Sequence, residues 1–173
     1  KILFLYIDNL INDNKDNLKN LKFIYRPHPY TFLKFRKKFD FKKFKNITLD
    51  LSSKKIYNLN NNTSSVQKTK FEKNIKLLNS ADIVICSATS LVVEASILYK
   101  DVLIYNVSSK GFFEDRLPSK YEHFKEIDKL NNVSFVNNNE ELGNKILEFY
   151  KKKKKLEKKI IDKKRNNILI ENK

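Results

Sequence analysis

The chain has 173 residues, of which 36 are Lys or Arg and 20 are Asp or Glu, so its formal net charge is +16. A charge of this sign and size favours an anionic partner, which could be nucleic acid, an anionic membrane surface or a phosphorylated substrate. A general bias of the composition toward lysine accounts for the charge equally well. The length predicts a single domain with room for a sizeable core.

The composition excludes several kinds of site. The chain contains two glycines, Gly111 and Gly143, so neither a G-x-G-x-x-G fingerprint nor a Walker phosphate loop is possible. The single cysteine, Cys86, excludes an intrachain disulfide and fits a reducing compartment. No apolar run reaches the ~18 residues of a membrane span. The chain begins without Met inside the apolar run 2–7, which suggests a fragment that lacks its natural N-terminus.

Hydrophobic patterning predicts six short strands that alternate with helices. The strands are expected at residues 2–7, 21–25, 46–51, 83–86, 102–105 and 132–136. The helices are expected at residues 8–20, 30–39, 69–79, 91–99 and 121–130, and again from residue 139. Such alternation predicts an α/β fold: a single Rossmann-like domain over residues 1–150, with about six parallel strands and helices on both faces. Residues 151–173 are expected to form a basic C-terminal helix or tail.

Two further patterns refine this prediction. Thr69 and Glu72 have the spacing of a capping box, which predicts that a helix begins at Thr69. The apolar runs 83–86 and 102–105 do not alternate with polar residues, which is typical of parallel strands buried on both faces. With the helical run between them they form a strand–turn–helix–strand unit.

The turn of this unit is the first candidate binding site. It contains Ser87, Thr89 and Ser90, and ligands of open α/β sheets bind where a strand ends and a helix begins. Free backbone N–H groups at a helix start, with small hydroxyl side chains beside them, can bind a phosphate. An ordinary helix N-cap explains the same residues, and the local sequence by itself favours that simpler explanation.

Glu94 is the second candidate, because it lies in the otherwise apolar stretch LVVEASIL. A carboxylate is rarely buried without a partner. Glu94 lies one helical turn after Ser90 on the same face, where it could accept hydrogen bonds from the two hydroxyl groups of a ribose. Alternatively it simply reaches solvent at the helix edge, and the sequence leaves both possibilities open.

The third candidate is the motif Arg26-Pro27-His28-Pro29, which follows the second expected strand. The prolines end the strand and fix the backbone. Arg26 can bind a phosphate with two parallel hydrogen bonds. His28 can donate to an oxyanion or act as a general acid near neutral pH. The strands before Arg26 and Ser87 are expected to end at the same edge of one parallel sheet, where a single diphosphate could contact both.

With these motifs the chain resembles the C-terminal, donor-binding half of a GT-B glycosyltransferase of the bacterial surface-polysaccharide type. That group includes capsule and polysialic-acid transferases and the CDP-glycerol glycerophosphotransferases of teichoic acid synthesis. The resemblance covers about residues 21–136. It lies in three motifs that follow one another in the same order: Arg26-Pro27-His28-Pro29, the apolar strand ADIVIC at residues 81–86, and Thr89-Ser90 with Glu94 in the next helix.

The resemblance implies roles for these residues. His28 would contact the donor phosphate, Thr89 and Ser90 would bind phosphate as well, Glu94 would bind the ribose, and Arg26 would add positive charge. The donor would be a nucleotide-activated sugar or a CMP- or CDP-activated group, with no metal or other cofactor. The glycan acceptor and the catalytic base would belong to an N-terminal half that this chain lacks, so the chain is expected to be inactive by itself.

We expect a cytoplasmic protein. If the lysine run 151–155 has a function, we expect it to contact an anionic membrane peripherally. Such a run is more often simply a solvated face. One alternative function is that of a UDP-N-acetylglucosamine 2-epimerase relative, although such enzymes would be expected to carry a glycine-rich turn at residues 87–90. A further alternative is a non-catalytic basic module that binds nucleic acid or a membrane surface. Because no RNA-binding arrangement of aromatic residues is recognisable, no specific nucleic acid is expected.

Overall fold

The computed structural model describes residues 2–27, 40–50, 63–105 and 126–171, with side chains described up to residue 160 except at 63–71 and 128. Within these residues the chain forms five α-helices and five β-strands. In chain order they are α1 Ile2–Asp13, α2 Lys15–Leu18, β1 Phe23–Tyr25, β2 Ile47–Leu49, α3 Thr63–Ser80, β3 Ile83–Cys86, α4 Ser90–Ile97, β4 Asp101–Tyr105, β5 Val133–Val136 and α5 Asn139–Glu171. Two short 3₁₀ turns span Phe41–Lys43 and Ile127–Lys129.

All described strand pairs are parallel, and they form two sheets. Strand β1 pairs with β2, with Phe23 opposite Ile47. The second sheet has the order β3-β4-β5, with β4 in the middle. The predicted α/β class with parallel strands is therefore confirmed. The described residues hold five strands in two sheets rather than six strands in one.

The strand predicted at residues 2–7 is wrong, because these residues begin helix α1. One face of α1 is buried at helical spacing, and its members are Phe4, Ile7, Asp8 and Ile11. Ile2 and Leu5 remain 78% and 47% exposed. A short unbroken apolar run fits a strand and a helix equally well. The helical period of this segment becomes visible only when residues 8–11 are included.

The start of α3 also differs from the prediction. The helix begins at Thr63, so Thr69 lies inside it and the expected capping box at Thr69 is wrong. The predicted end near residue 79 is confirmed, because α3 ends at Ser80. Of the helix expected at 121–130, the described part is the 3₁₀ turn Ile127–Lys129. The helix expected at 30–39 lies outside the described residues.

The predicted helix from residue 139 and the predicted basic tail form one continuous helix. Helix α5 has 33 residues, so the boundary proposed at residue 150 falls inside it. Its length would suffice to cross a bilayer, but its many lysines make it far too polar for that. No helix in the described part of the chain is both long and apolar enough to span a membrane.

The core has two layers, one on each face of the three-stranded sheet. Helices α1, α2 and α5 contribute to the first layer together with both sheets, through Phe4, Ile7, Ile11, Leu18, Ile47, Leu103, Val136, Leu142 and Ile146. Helices α3 and α4 form the second, through Leu78, Val84, Val92, Ala95, Val102, Ile104, Ile127 and Val133. Leu103 therefore faces one layer while its neighbours Val102 and Ile104 face the other. Burial on both faces is what the non-alternating apolar run of β4 predicts.

A polar network fixes α1 against the start of β2. Asp8 is only 9% exposed, and its Oδ1 accepts hydrogen bonds from the backbone N–H of Asn46 at 2.9 Å and from its side-chain Nδ2 at 3.0 Å. The Asn46 amide also donates to Oδ1 of Asn12 at 3.3 Å. The two hydrogen bonds from Asn46 compensate the burial of the Asp8 carboxylate. Without that carboxylate, the Asn46 groups would lose an acceptor.

We expect Asp8→Ala to lower the free energy of unfolding by about 2 kcal/mol, because it removes the acceptor of the Asn46 backbone N–H and one acceptor of the Asn46 side-chain amide. Urea denaturation measures the change. Asp13→Ala is the matched control, since Asp13 is exposed at the end of the same helix and should change stability by less than about 0.5 kcal/mol. Equal effects of the two substitutions would contradict the role given to Asp8.

Candidate functional site

The predicted strand–turn–helix–strand unit is confirmed in the structure. Strand β3 ends at Cys86, the turn follows, and α4 begins at Ser90. Because β3 runs parallel to β4, the turn lies at the carboxyl edge of the three-stranded sheet. Ser87, Thr89 and Ser90 are all exposed there. The three hydroxyl groups are therefore accessible at an edge where α/β proteins bind ligands.

The N-terminus of α4 is not capped by a side chain. Thr89 occupies the N-cap position with an extended backbone (φ −142°, ψ 170°), but its hydroxyl group accepts no hydrogen bond from the helix. The first helical contact is made by the backbone, from the N–H of Val92 to the carbonyl of Thr89 at 3.0 Å. The ordinary side-chain cap favoured by the local sequence is thus not formed. Helix N–H groups without an intramolecular acceptor are suited to bind an anion.

Helix α5 provides a contrast within the same sheet. Its N-terminus follows β5, and Oδ1 of Asn138 accepts a hydrogen bond from the N–H of Glu141 at 2.8 Å. Glu141 reciprocates by accepting from the N–H of Asn137 at 2.8 Å. This arrangement resembles a capping box, except that Glu141 accepts from the residue before the N-cap and not from the N-cap itself. Of these two N-termini, the one at α4 is left available for an external anion.

Glu94 lies at the border of the buried face of α4. Val92 and Ala95 are fully buried against the sheet, and the neighbouring Leu91 and Leu98 are partly buried. Oε2 of Glu94 is buried and has no hydrogen-bond partner among the described residues. The residue as a whole is only partly buried, so the simpler explanation, that Glu94 reaches solvent at the helix edge, stays open. A buried acceptor without a donor costs about 1–3 kcal/mol, and a ligand hydroxyl group or a water molecule would relieve that cost.

Arg26 has a protein partner that the sequence analysis missed. Nε of Arg26, which directly follows β1, lies 3.4 Å from Oδ2 of Asp50, which directly follows β2. The backbone N–H of Asp50 donates to the carbonyl of Tyr25 at 2.9 Å, so the two strand ends are joined. The sequence could have indicated this ion pair by position, because Asp50 lies at the end of a predicted strand parallel to the one before Arg26.

Arg26 and Ser87 directly follow strands of two different sheets. The described residues contain no pairing between β1 and β3, so the expected single sheet edge is not reproduced. Both sheets nevertheless contribute to one core layer, against which Tyr25 of β1 and Ile85 of β3 are packed. His28 lies outside the described residues, and its predicted role stays a prediction.

Two surface depressions, of about 370 and 380 Å³, lie elsewhere, the first mainly beside α2 and the second beside α1. Neither contains a predicted site residue. The hydroxyl groups at the start of α4 are exposed, and their chemistry makes them the candidate site.

Cys86 is the last residue of β3 and packs against the second core layer. Burial raises the pKa of its thiol to about 12. The thiol therefore stays protonated at neutral pH and is a poor nucleophile, although it precedes the exposed turn. The prediction that Cys86 is a small core residue at a strand end agrees with this packing.

We expect Thr89→Val to change the free energy of unfolding by less than about 0.5 kcal/mol, because the hydroxyl group does not cap α4. Asn138→Ala is the comparison, and it should cost about 1 kcal/mol because it removes a formed N-cap. Urea denaturation of both variants measures the difference. A loss at Thr89 as large as that at Asn138 would mean that Thr89 caps its helix after all.

We also expect iodoacetamide to modify Cys86 at least about 100-fold more slowly in the folded protein than in guanidinium at pH 8, because only the unfolded chain contains appreciable thiolate. Since the folded-state pKa is the higher one, stability should also fall as pH rises from about 9 toward 12. Labelling followed by mass spectrometry measures the rates, and Cys86→Ala supplies the blank. Equal rates in the two states would contradict the burial of the thiol.

The described residues contain no group of three or more His, Cys, Asp or Glu side chains that could hold a metal ion. The expectation that no cofactor is used stays a prediction. A scan of the chain against protein-family models found no matching family, and searches of curated proteins and of solved structures returned no significant match. The functional conclusion therefore depends on the sequence motifs and on the geometry of this site.

Proposed function

We propose that this chain is the nucleotide-donor-binding half of a GT-B-type transferase, a glycosyltransferase or glycerophosphotransferase that builds a bacterial surface polysaccharide. In this proposal the five parallel strands belong to one Rossmann-like domain, and the donor binds at their carboxyl edge. The parallel pairing, the helices on both faces of the three-stranded sheet and the strand–turn–helix unit at residues 83–97 support it.

The observation that carries the proposal is the buried, unpartnered Oε2 of Glu94. Its carboxylate follows the open N-terminus of α4 by one turn, on the face that Ser90 also occupies. Four residues of helix rise by about 6 Å, a distance comparable with that between the ribose and the phosphates of a nucleotide. Ribose hydroxyl groups at Glu94 would supply the missing donors while the phosphates occupy the helix N-terminus.

The phosphates of the donor would be bound by the N–H groups of the first turn of α4 and by the hydroxyl groups of Ser87, Thr89 and Ser90. Arg26, partly neutralised by Asp50, and His28 would add positive charge or a proton donor on the other side. Together these groups would stabilise the negative charge that develops on the leaving phosphate during transfer. Binding, rather than turnover, is the appropriate readout, because the proposal leaves the acceptor site to a separate half.

We expect the full chain to bind a nucleoside diphosphate and to bind its 2′-deoxy analogue about 10-fold or more weakly. Glu94→Gln should weaken binding of the ribonucleotide about 10- to 100-fold, because a charge-assisted hydrogen bond is lost, and should largely abolish the preference over the deoxy form. Isothermal titration calorimetry with UDP, CDP, GDP and CMP measures both quantities and identifies the preferred base.

Glu72→Gln is the matched control, since Glu72 is an exposed carboxylate on α3 and should leave binding unchanged. Thr89→Val and His28→Ala test the phosphate contacts, and each should reduce affinity for the diphosphate more than affinity for the nucleoside. If the wild-type chain binds none of these nucleotides, or if Glu94→Gln retains full affinity and the same ribose preference, the site assignment is wrong.

A further inference from the structure

Helix α5 continues well beyond the core of the protein. Its first turns are anchored there, since Leu142 and Ile146 are buried against α1 and the sheet. Every residue from 151 to 160 is exposed, and we call these ten residues the basic segment. At the usual rise of the α-helix the basic segment is about 15 Å long.

The basic segment carries a concentrated positive charge. Its sequence, KKKKKLEKKI, contains seven lysines and one glutamate. The five consecutive lysines extend over more than one helical turn, so positive charge surrounds the helix instead of marking one face. Among them, Lys153 forms ion pairs with Asp82 at 2.6 Å and with Glu157 at 4.0 Å.

Two aliphatic side chains stand among these lysines. Leu156 and Ile160 are 59% and 49% exposed, and their spacing of four residues places them on one face of α5. Phe149, which packs against the core, lies seven residues before Leu156 and therefore on the same face. The apolar stripe of α5 thus continues past the part of the helix that the core covers.

We propose that the basic segment is a docking surface for a membrane that contains anionic phospholipids. Lysine ammonium groups interact with lipid headgroups as point charges without strict geometry, and a lysine-rich helix of this kind suits a broad anionic surface. Leu156 and Ile160 can enter the headgroup region, which a nucleic-acid backbone would not use. A second copy of the chain fits poorly, because its lysines would oppose these lysines.

This surface is separate from the candidate nucleotide site. The ion pair of Lys153 ties α5 to Asp82, which immediately precedes β3, whereas Ser87 immediately follows the same strand. The first and last residues of this four-residue strand are about 10 Å apart. A membrane bound at the basic segment would therefore leave the carboxyl edge of the sheet accessible, and the membrane proposal does not depend on the proposed function.

Co-sedimentation of the full chain with vesicles tests the proposal. We expect binding to vesicles of equimolar phosphatidylglycerol and phosphatidylcholine, steep weakening with salt, and little binding to phosphatidylcholine alone. A variant with four substitutions, Lys151→Gln, Lys152→Gln, Lys154→Gln and Lys155→Gln, should bind about 100- to 1,000-fold more weakly. It spares Lys153, and glutamine has a helix propensity close to that of lysine, so the fold should be retained.

The matched control removes the same charge elsewhere, through Lys22→Gln, Lys42→Gln, Lys43→Gln and Lys45→Gln, four exposed positions outside α5. It should bind the anionic vesicles within about 5-fold of the wild type. Equal losses in both variants would show that net charge alone is responsible and would overturn the proposal. Tighter binding to duplex DNA than to the vesicles at the same salt would also overturn it.

A second variant addresses the apolar stripe. The double substitution Leu156→Ser with Ile160→Ser should weaken vesicle binding relative to the wild type most clearly at high salt, where the lysines are screened. If these substitutions instead dissociate a dimer detected by sedimentation velocity, the stripe is a self-association surface and the membrane proposal is wrong. Nucleotide affinity should be the same in all these variants, so failure here and failure of the proposed function are distinguishable.

Discussion

Burial of strand β4 on both of its faces is the constraint on which the described structure depends. Leu103 contacts the layer of α1, α2 and α5, while Val102 and Ile104 contact the layer of α3 and α4. Because β4 is also the middle strand of its sheet, it fixes β3 and β5 in parallel register on either side. The carboxyl edge of that sheet, and with it the turn before α4, takes its position from this central strand.

Two helix N-termini lie at this edge, and they differ in whether side chains accept hydrogen bonds from their first backbone N–H groups. At α5 the side chain of Asn138 accepts from the N–H of Glu141, whereas Thr89 at α4 makes no side-chain hydrogen bond to its helix. One turn into α4, Oε2 of Glu94 is buried without a donor. Uncompensated donors and an uncompensated acceptor on one short helix are complementary to a single ligand that carries an anion and hydroxyl groups. That complementarity is the physical basis of our proposal of a nucleotide donor.

The elements that were predicted correctly are those whose sequence signal is purely local. The strands at residues 83–86 and 102–105 have unbroken apolar runs bounded by polar residues, and the turn between β3 and α4 contains small hydroxyl residues. The first apolar run was misread because six residues are too few to distinguish a period of two from one of 3.6. The capping box predicted at Thr69 is wrong because the helix already begins at Thr63. A sequence that suits an N-cap does not by itself make a helix start there.

The sequence alone determined the parallel α/β class, the position of the candidate turn and the unusual character of Glu94, because strand burial and charge in an apolar stretch are properties of neighbouring residues. Only the tertiary structure decided which side chains pair with one another through hydrogen bonds and ion pairs. The pairing of Arg26 with Asp50, the network of Asp8 with Asn46 and the absence of a side-chain cap at Thr89 all depend on segments that are distant in the chain or on dihedral angles. Hydrogen bonds and ion pairs are set by three-dimensional geometry, and one-dimensional patterns do not contain that information.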